Sequence, residues 1–145
     1  MNRRVVCGLM MSLAIAGCFA REARIDPDVP LGAALAGQWT PVRAEMGGKD
    51  FPVANFAGAS LRLTESTYEF AGDQGTYTVV SVAPPARMDI HGERGPNAGK
   101  VIPALYQVTG DQLDIVYQLG PGIRPRDLTS PAGSQILLVH YQRTR

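Results

Sequence analysis

The chain has 145 residues, a formal net charge of +1 and only two cysteines, Cys7 and Cys18. This length suits one domain with its own hydrophobic core, and so small a net charge gives no electrostatic reason to expect a nucleic-acid partner. Both cysteines lie near the start of the chain, which excludes a disulfide in the remainder and leaves a core to hold it together.

The first residues have the pattern of a bacterial export signal. Two arginines precede an apolar run over residues 5–16, which is too short to span a membrane. The run ends in Ile15-Ala16-Gly17-Cys18, which resembles the lipobox of bacterial lipoproteins and implies a diacylglycerol on the Cys18 thiol. We therefore expect residues 1–17 to be a signal peptide, and the protein to be exported and anchored through Cys18 in the membrane of the cell envelope, facing the periplasm or the outer surface. The alternative is a secretory signal cut after Ala16 or Ala20, without a lipid.

The next segment, residues 18–33, has a run of charges, two prolines and little periodicity, which is typical of a tether. A short helical turn is expected over Leu31 to Ala36, because Pro30 suits a first helical turn and Gly37 suits its end. The folded domain is predicted to occupy residues 34–145.

Eight strands are predicted in this domain from alternating apolar residues and β-branched runs, separated by glycine-rich and proline-rich turns. On the first strand, Val42, Ala44 and Met46 are expected to share one face. The segment after it, residues 49–59, lacks a clean period and is expected to form a flap over something apolar. The predicted strands cover residues 39–46, 60–64, 67–71, 76–82, 86–91, 101–109, 112–119 and 135–143.

The strongest of these signals is a hairpin closed by the two-residue turn Gly110-Asp111. If Thr109 pairs with Gln112, apolar residues face one another along one side of the hairpin, as in antiparallel pairing. The other side is mostly polar, although Val101, Leu105 and Val116 interrupt it. The expected apolar pairs are Val108 with Leu113, Tyr106 with Ile115, Ala104 with Tyr117 and Ile102 with Leu119.

Eight strands with short connections and hardly any helix favour an all-β fold, an eight-stranded antiparallel up-and-down barrel with a short N-terminal helical turn. A β-sandwich is the alternative. The barrel is favoured because closure removes exposed strand edges, and eight strands leave an interior for side chains or for one small ligand.

Gly37-Gln38-Trp39 and the late Arg143 resemble a pairing found in lipocalins and other calycins, in which a tryptophan plugs the barrel floor and an arginine lies across its ring. A second resemblance is carried by Leu35 to Trp39, Gly75 to Tyr77, Pro85 to Ile90, Tyr106 to Tyr117, Arg124-Pro125 and Arg143. In their order and spacing, these pieces resemble a family of small exported domains of unknown function that is abundant in planctomycete-type bacteria. The chain departs from that family at Asp127-Leu128, where the family has a phenylalanine. The resemblance implies a lipocalin-like fold, with Trp39 and Arg143 as its structural cap, and supplies no catalytic residue.

No motif for catalysis or for a cofactor emerges from the sequence. Asp89 and His91 share a strand face and could join His140 around a metal, but a metal needs three or four convergent ligands, and a solvated polar face explains these residues more simply. The segment Gly95 to Val101 resembles a phosphate loop superficially, yet its spacing is wrong and a strand follows it. We therefore expect no enzyme and neither a metal nor a cofactor.

The inward-facing apolar side chains permit two interpretations. They either fill the barrel, which then serves as a structural or protein-interaction module, or they leave a space for one small apolar ligand. We expect the ligand-binding form, as a monomer without a nucleic-acid partner, with entry past the flap that carries Phe51 and Phe56. The remaining predicted ligand-binding residues are Phe70, Met88, Tyr106 and Tyr117.

Overall fold

In the computed structural model, which describes residues 32–145, eight antiparallel strands form a closed β-barrel, and a ninth strand of two residues lies beside the first. The helical elements of this part are two 3-10 turns, Ala33–Leu35 and Val53–Phe56. No helix in residues 32–145 has the length and apolar character needed to cross a membrane. The strands are β1 Gly37–Met46, β2 Lys49–Asp50, β3 Leu61–Leu63, β4 Thr67–Phe70, β5 Asp73–Ser81, β6 Ala86–Arg94, β7 Val101–Thr109, β8 Gln112–Gln118 and β9 Ile136–Arg143.

The strand order explains the closure of the barrel. From β3 to β9 each strand pairs with the next in the chain, and β1 pairs with β2, β3 and β9. The all-β prediction is therefore confirmed, as is the expectation of eight antiparallel strands in a barrel. The predicted signal peptide, Cys18 and most of the predicted tether lie outside the described residues.

The hairpin of β7 and β8 has the register that its apolar pattern predicts. Thr109 pairs with Gln112 and Tyr106 pairs with Ile115. Gly110 has a φ of +60°, which suits glycine in a tight hairpin turn. The pairing stops earlier than expected because β8 ends at Gln118, so the predicted partner of Ile102, Leu119, lies beyond the strand.

Strand β1 departs from strict alternation. Its register against β9 shifts between Pro41 and Arg43, as a β-bulge does when it adds one residue to a strand. Pro41 and Ala44 are buried on either side of this irregularity, whereas Val42 is 56% exposed. The prediction that Val42 and Ala44 share a face is therefore wrong.

Two apolar clusters stabilise the barrel. The larger one lies in its interior, and a smaller one lies on its outer wall, where Leu105, Val116 and Leu138 are buried. Leu128, from the connection between β8 and β9, packs over this outer cluster together with Ile136. Leu105 and Val116 interrupt the polar face of the hairpin because the chain folds back to cover them.

The two ends of the barrel differ. At one end, called here the capped end, short turns join β3 to β4 and β7 to β8, and the 3-10 turn Ala33–Leu35 lies nearby. At the other end, the loop end, longer connections cover residues 47–60, 95–100 and 119–135. The described chain begins at the capped end, where the carbonyl oxygen of Gly32 lies 3.5 Å from the hydroxyl oxygen of Tyr77.

Candidate functional site

The capped end is built around Trp39, whose side chain is fully buried. Its indole Nε1 donates to the carbonyl of Leu35 at 2.9 Å. The guanidinium of Arg143 lies 4.1 Å from the ring centroid and donates from Nη1 to the carbonyl of Ala36 at 2.8 Å and from Nη2 to that of Ala34 at 3.2 Å. These contacts join the start of the barrel to its last strand and close this end.

Gly37 makes room for this arrangement. Its φ is +140°, a conformation that residues with a side chain rarely adopt. A Cβ atom at this position would lie 2.6 Å from Nη1 of Arg143. The glycine of the Gly37-Gln38-Trp39 motif therefore suits both this backbone conformation and the close approach of the arginine that crosses the indole.

The barrel contains a cavity of about 190 Å³, lined mainly by aliphatic and aromatic side chains from strands β3 to β9. Asn97 and Leu119, from connections at the loop end, also line it. An apolar cavity of about 150 Å³ stays dry and binds benzene. The space here is therefore large enough for one small apolar molecule. Prominent residues of its lining are Leu63, Phe70, Met88, Ile102, Ile115 and Leu137.

Of the six residues predicted to bind a ligand, three line the cavity and three do not. Phe70, Met88 and Tyr117 line the cavity. Tyr106 does not, although it is buried in the interior cluster and pairs with Ile115, which does line the cavity. Its predicted place in the lining is thus corrected. Phe51 and Phe56 also lie outside the lining, one layer further out.

Phe51 and Phe56 belong to the predicted flap, which contacts the cavity wall through a chain of aromatic rings. The ring centroids of Phe51 and Phe56 are 5.4 Å apart, and those of Phe56 and Phe70 are 5.2 Å apart. Phe70 in turn lies 6.3 Å from Tyr141, edge to face. The flap therefore contacts a lining residue directly, and a movement of Phe56 would change the packing around Phe70.

Two tyrosines place hydroxyl groups in the cavity wall. The hydroxyls of Tyr117 and Tyr141 are 2.8 Å apart and share a hydrogen bond. Burial raises the pKa of both well above the ordinary value for tyrosine. Both groups are therefore neutral at physiological pH.

A second polar group lies where β5 begins, at the loop end. The carboxylate of Asp73 accepts a hydrogen bond of 3.1 Å from the Tyr68 hydroxyl and one of 2.7 Å from the side-chain amide of Asn97. The backbone N–H of Asn97 adds a third, of 3.2 Å. Tyr68, Asp73 and Asn97 all line the cavity. Asp73 falls between the predicted strands 67–71 and 76–82, and its role was not predicted, because only the pairing of β5 with β6 brings Asp73 and Asn97 together.

The residues considered as metal ligands do not converge. His140 Nδ1 lies 2.7 Å from Asp114 Oδ1 on the neighbouring strand. Asp89 contacts the guanidinium of Arg124, which also donates to the carbonyls of Met88 and Ala104. Within residues 32–145, no group of three or more His, Cys, Asp or Glu side chains could hold a metal ion.

Comparisons with known proteins add no relative to this description. No family model, curated protein or solved structure matches the chain. Its resemblance to a planctomycete-type family stays a prediction.

Proposed function

We propose that this protein is a cell-envelope lipoprotein whose lipocalin-like barrel binds a small apolar molecule. The observation that carries the proposal is the cavity of about 190 Å³ in the barrel. Apolar surface that leaves water for such a space gains about 25 cal/mol per Å². A ligand of benzene-like size therefore has a favourable place to bind.

Two features support the lipocalin-like, up-and-down part of this proposal. Successive strands from β3 to β9 are neighbours in the sheet, and β9 returns to β1. Trp39 and Arg143 stack at the capped end, as the resemblance to calycins implies. Sequential pairing and one sealed end leave the opposite end as the entrance.

The envelope location is supported by the sequence around Cys18. A short apolar run followed by Ile15-Ala16-Gly17-Cys18 fits a lipoprotein signal. The described chain begins at the capped end, at Gly32. The tether would then join the barrel at the end opposite the cavity, which leaves the loop end free to exchange its ligand.

The test uses the methionine methyl groups as local reporters. The barrel contains two methionines, of which Met88 lines the cavity and Met46 does not. The full chain, labelled with ¹³C at the methionine methyl groups and placed in phosphatidylcholine nanodiscs, is titrated with toluene. We expect a saturable shift of the Met88 methyl signal and an unchanged Met46 signal.

A matched pair of variants locates the binding. Ile115 lines the cavity, whereas Ile136 packs against the outer cluster. Ile115→Phe fills the space and should abolish the shift, while Ile136→Phe adds the same volume outside the barrel and should preserve it. If Met88 does not respond in the folded wild-type protein, the barrel is filled and a structural or protein-interaction module becomes the better explanation.

A further inference from the structure

The charge in the cavity lining is negative and comes from one residue. Asp73 is its only charged lining residue, and none of the lining side chains in the described chain is Lys, Arg or His. The hydroxyl pair of Tyr117 and Tyr141 contributes polarity without charge. A bound molecule therefore meets one carboxylate and no cation.

Asp73 has room for one more hydrogen bond. An ionised carboxylate offers about four acceptor positions, and three hydrogen bonds reach it from Tyr68 and Asn97. Tyr68 has no second proton to give, because its only hydroxyl hydrogen is used on Asp73. The remaining acceptor position of Asp73 can therefore take a hydrogen bond from the bound molecule.

Asp73 lies where the cavity lining reaches the loop end. It is the first residue of β5, at the loop end, and it is half-buried. Met88 and Ile115 lie deeper and are almost fully buried. A molecule with its apolar part against Met88 and Ile115 can keep its polar group near Asp73, where partial hydration lowers the cost of burying a charge.

On the basis of the proposed function, we propose that the ligand is an apolar molecule with an amine or hydroxyl group that donates to Asp73, and that the site rejects carboxylates. An ammonium supplies both a donor and the opposite charge. A carboxylate has no proton to give and would lie beside a like charge in a medium of low dielectric constant. Fatty acids are thus poor ligands in this interpretation.

Four probes that share one ring test this preference. Toluene, benzyl alcohol, benzylamine and benzoate are titrated at pH 7 against the full chain in nanodiscs, with the Met88 methyl signal as the readout. We expect benzylamine to bind about tenfold more tightly than benzoate, which corresponds to one unlike or like charge contact partly screened by water. Benzyl alcohol should lie between them.

Two variants assign the preference to Asp73. Asp73→Asn should reduce the difference between benzylamine and benzoate to less than about twofold, since the charge is gone while the shape is kept. Glu69→Gln makes the same charge change on an exposed residue outside the cavity and should leave the preference unchanged. Asn97→Ala keeps the carboxylate and frees its acceptor positions, so the preference for benzylamine should persist even if Asp73→Asn folds poorly.

The possible outcomes distinguish a failure of the role of Asp73 from a failure of the proposed ligand binding. If toluene binds but benzoate binds as tightly as benzylamine, the cavity holds ligands and the role of Asp73 is refuted. If the preference exists and survives in folded Asp73→Asn, or is lost in folded Asn97→Ala, another group causes it. If none of the four probes shifts Met88, the proposed function and this inference fail together.

Discussion

The guanidinium of Arg143 lies 4.1 Å from the ring centroid of Trp39, and the two residues are also backbone partners between β9 and β1. One contact thus joins the first and last strands where the barrel closes. The stacking is reinforced by hydrogen bonds from Arg143 to two carbonyls of the preceding segment. The residue pair therefore acts as a clasp between the ends of the folded chain.

Removal of this clasp should destabilise the barrel. Arg143→Ala is expected to lower the free energy of unfolding by about 1–2 kcal/mol, through loss of the stacking and of the carbonyl hydrogen bonds. Arg143→Lys should recover only part of this, because an ammonium cannot stack flat on the ring or reach both carbonyls. Urea unfolding followed by Trp39 fluorescence measures both.

Arg145 is the matched control for Arg143. It is 87% exposed and pairs with Asp111 at the surface, so Arg145→Ala should leave the unfolding midpoint nearly unchanged. Equal effects of Arg143→Ala and Arg145→Ala would show that the clasp adds no stability beyond a surface ion pair.

The outer cluster gives a second stability prediction. Val116 is fully buried under the connection between β8 and β9, whereas Val42 is 56% exposed at the bulge of β1. Val116→Ala should cost about 1–3 kcal/mol, since two methyl groups leave a packed site, and Val42→Ala should change stability by less than about 0.5 kcal/mol. Chemical denaturation of the two variants compares them directly. Similar small effects would mean that the connection does not pack on the barrel wall.

Much of the barrel could be predicted from its sequence because apolar alternation is a local signal. The register of β7 and β8 follows from it, since a slip by one residue would turn Tyr106 and Ile115 to the wrong face. Val42 was misplaced because strict alternation was assumed, although Pro41 beside it is a residue that often marks a bulge within a strand. Leu105 and Val116 were recognised as apolar interruptions of a polar face, but their burial was not predicted. The segment that covers them lies later in the chain.

The cavity was harder to predict than the fold. Phe70, Met88 and Tyr117 were placed in it by their inward parity. Parity gives the side of a strand and not whether an inward side chain borders an empty space or packs against its neighbours, so Tyr106 was included although it does not line the cavity. Asp73 and Asn97 were missed because residues of this type are common in turns, and only the pairing of β5 with β6 makes them neighbours.

Stability should fall at alkaline pH because of the buried tyrosines. Burial, with smaller effects from Tyr106 and Glu65, raises the pKa of Tyr77 to about 12, and its hydroxyl donates to the carbonyl of Thr64 at 2.6 Å. The pKa of Tyr77 is higher in the folded than in the unfolded state. The stability that its buried hydroxyl contributes is therefore complete below about pH 10 and is lost as the pH rises through about 12. Urea midpoints measured from pH 8 to 12 should therefore decrease above pH 10.

Tyr77→Phe isolates the contribution of this hydroxyl. The variant should be less stable at pH 8 by about 1 kcal/mol, because it loses the hydrogen bond to Thr64. It should also lose less stability than the wild type between pH 10 and 12. Parallel curves for the two proteins would assign the alkaline loss to other groups.

The lipid anchor predicts a covalent change at one residue. Cells supplied with a labelled fatty acid should incorporate the label into the wild-type protein, and Cys18→Ser should abolish it, since the thiol is the attachment point. Two acyl chains or more give stable membrane anchoring, because each buried methylene contributes about 0.8 kcal/mol. An unlabelled wild-type protein whose chain begins after Ala16 or Ala20 would instead establish simple secretion.

The most direct test of the central claim, that the barrel carries a small apolar molecule in its cavity, is native mass spectrometry of the full-length protein isolated from its own cells. The wild-type protein and Ile136→Phe should each carry one additional small molecule that is released on activation in the gas phase. Ile115→Phe, which fills the cavity, should carry none. A wild-type protein without any bound molecule, or the same adduct at equal occupancy in Ile115→Phe, would contradict the claim.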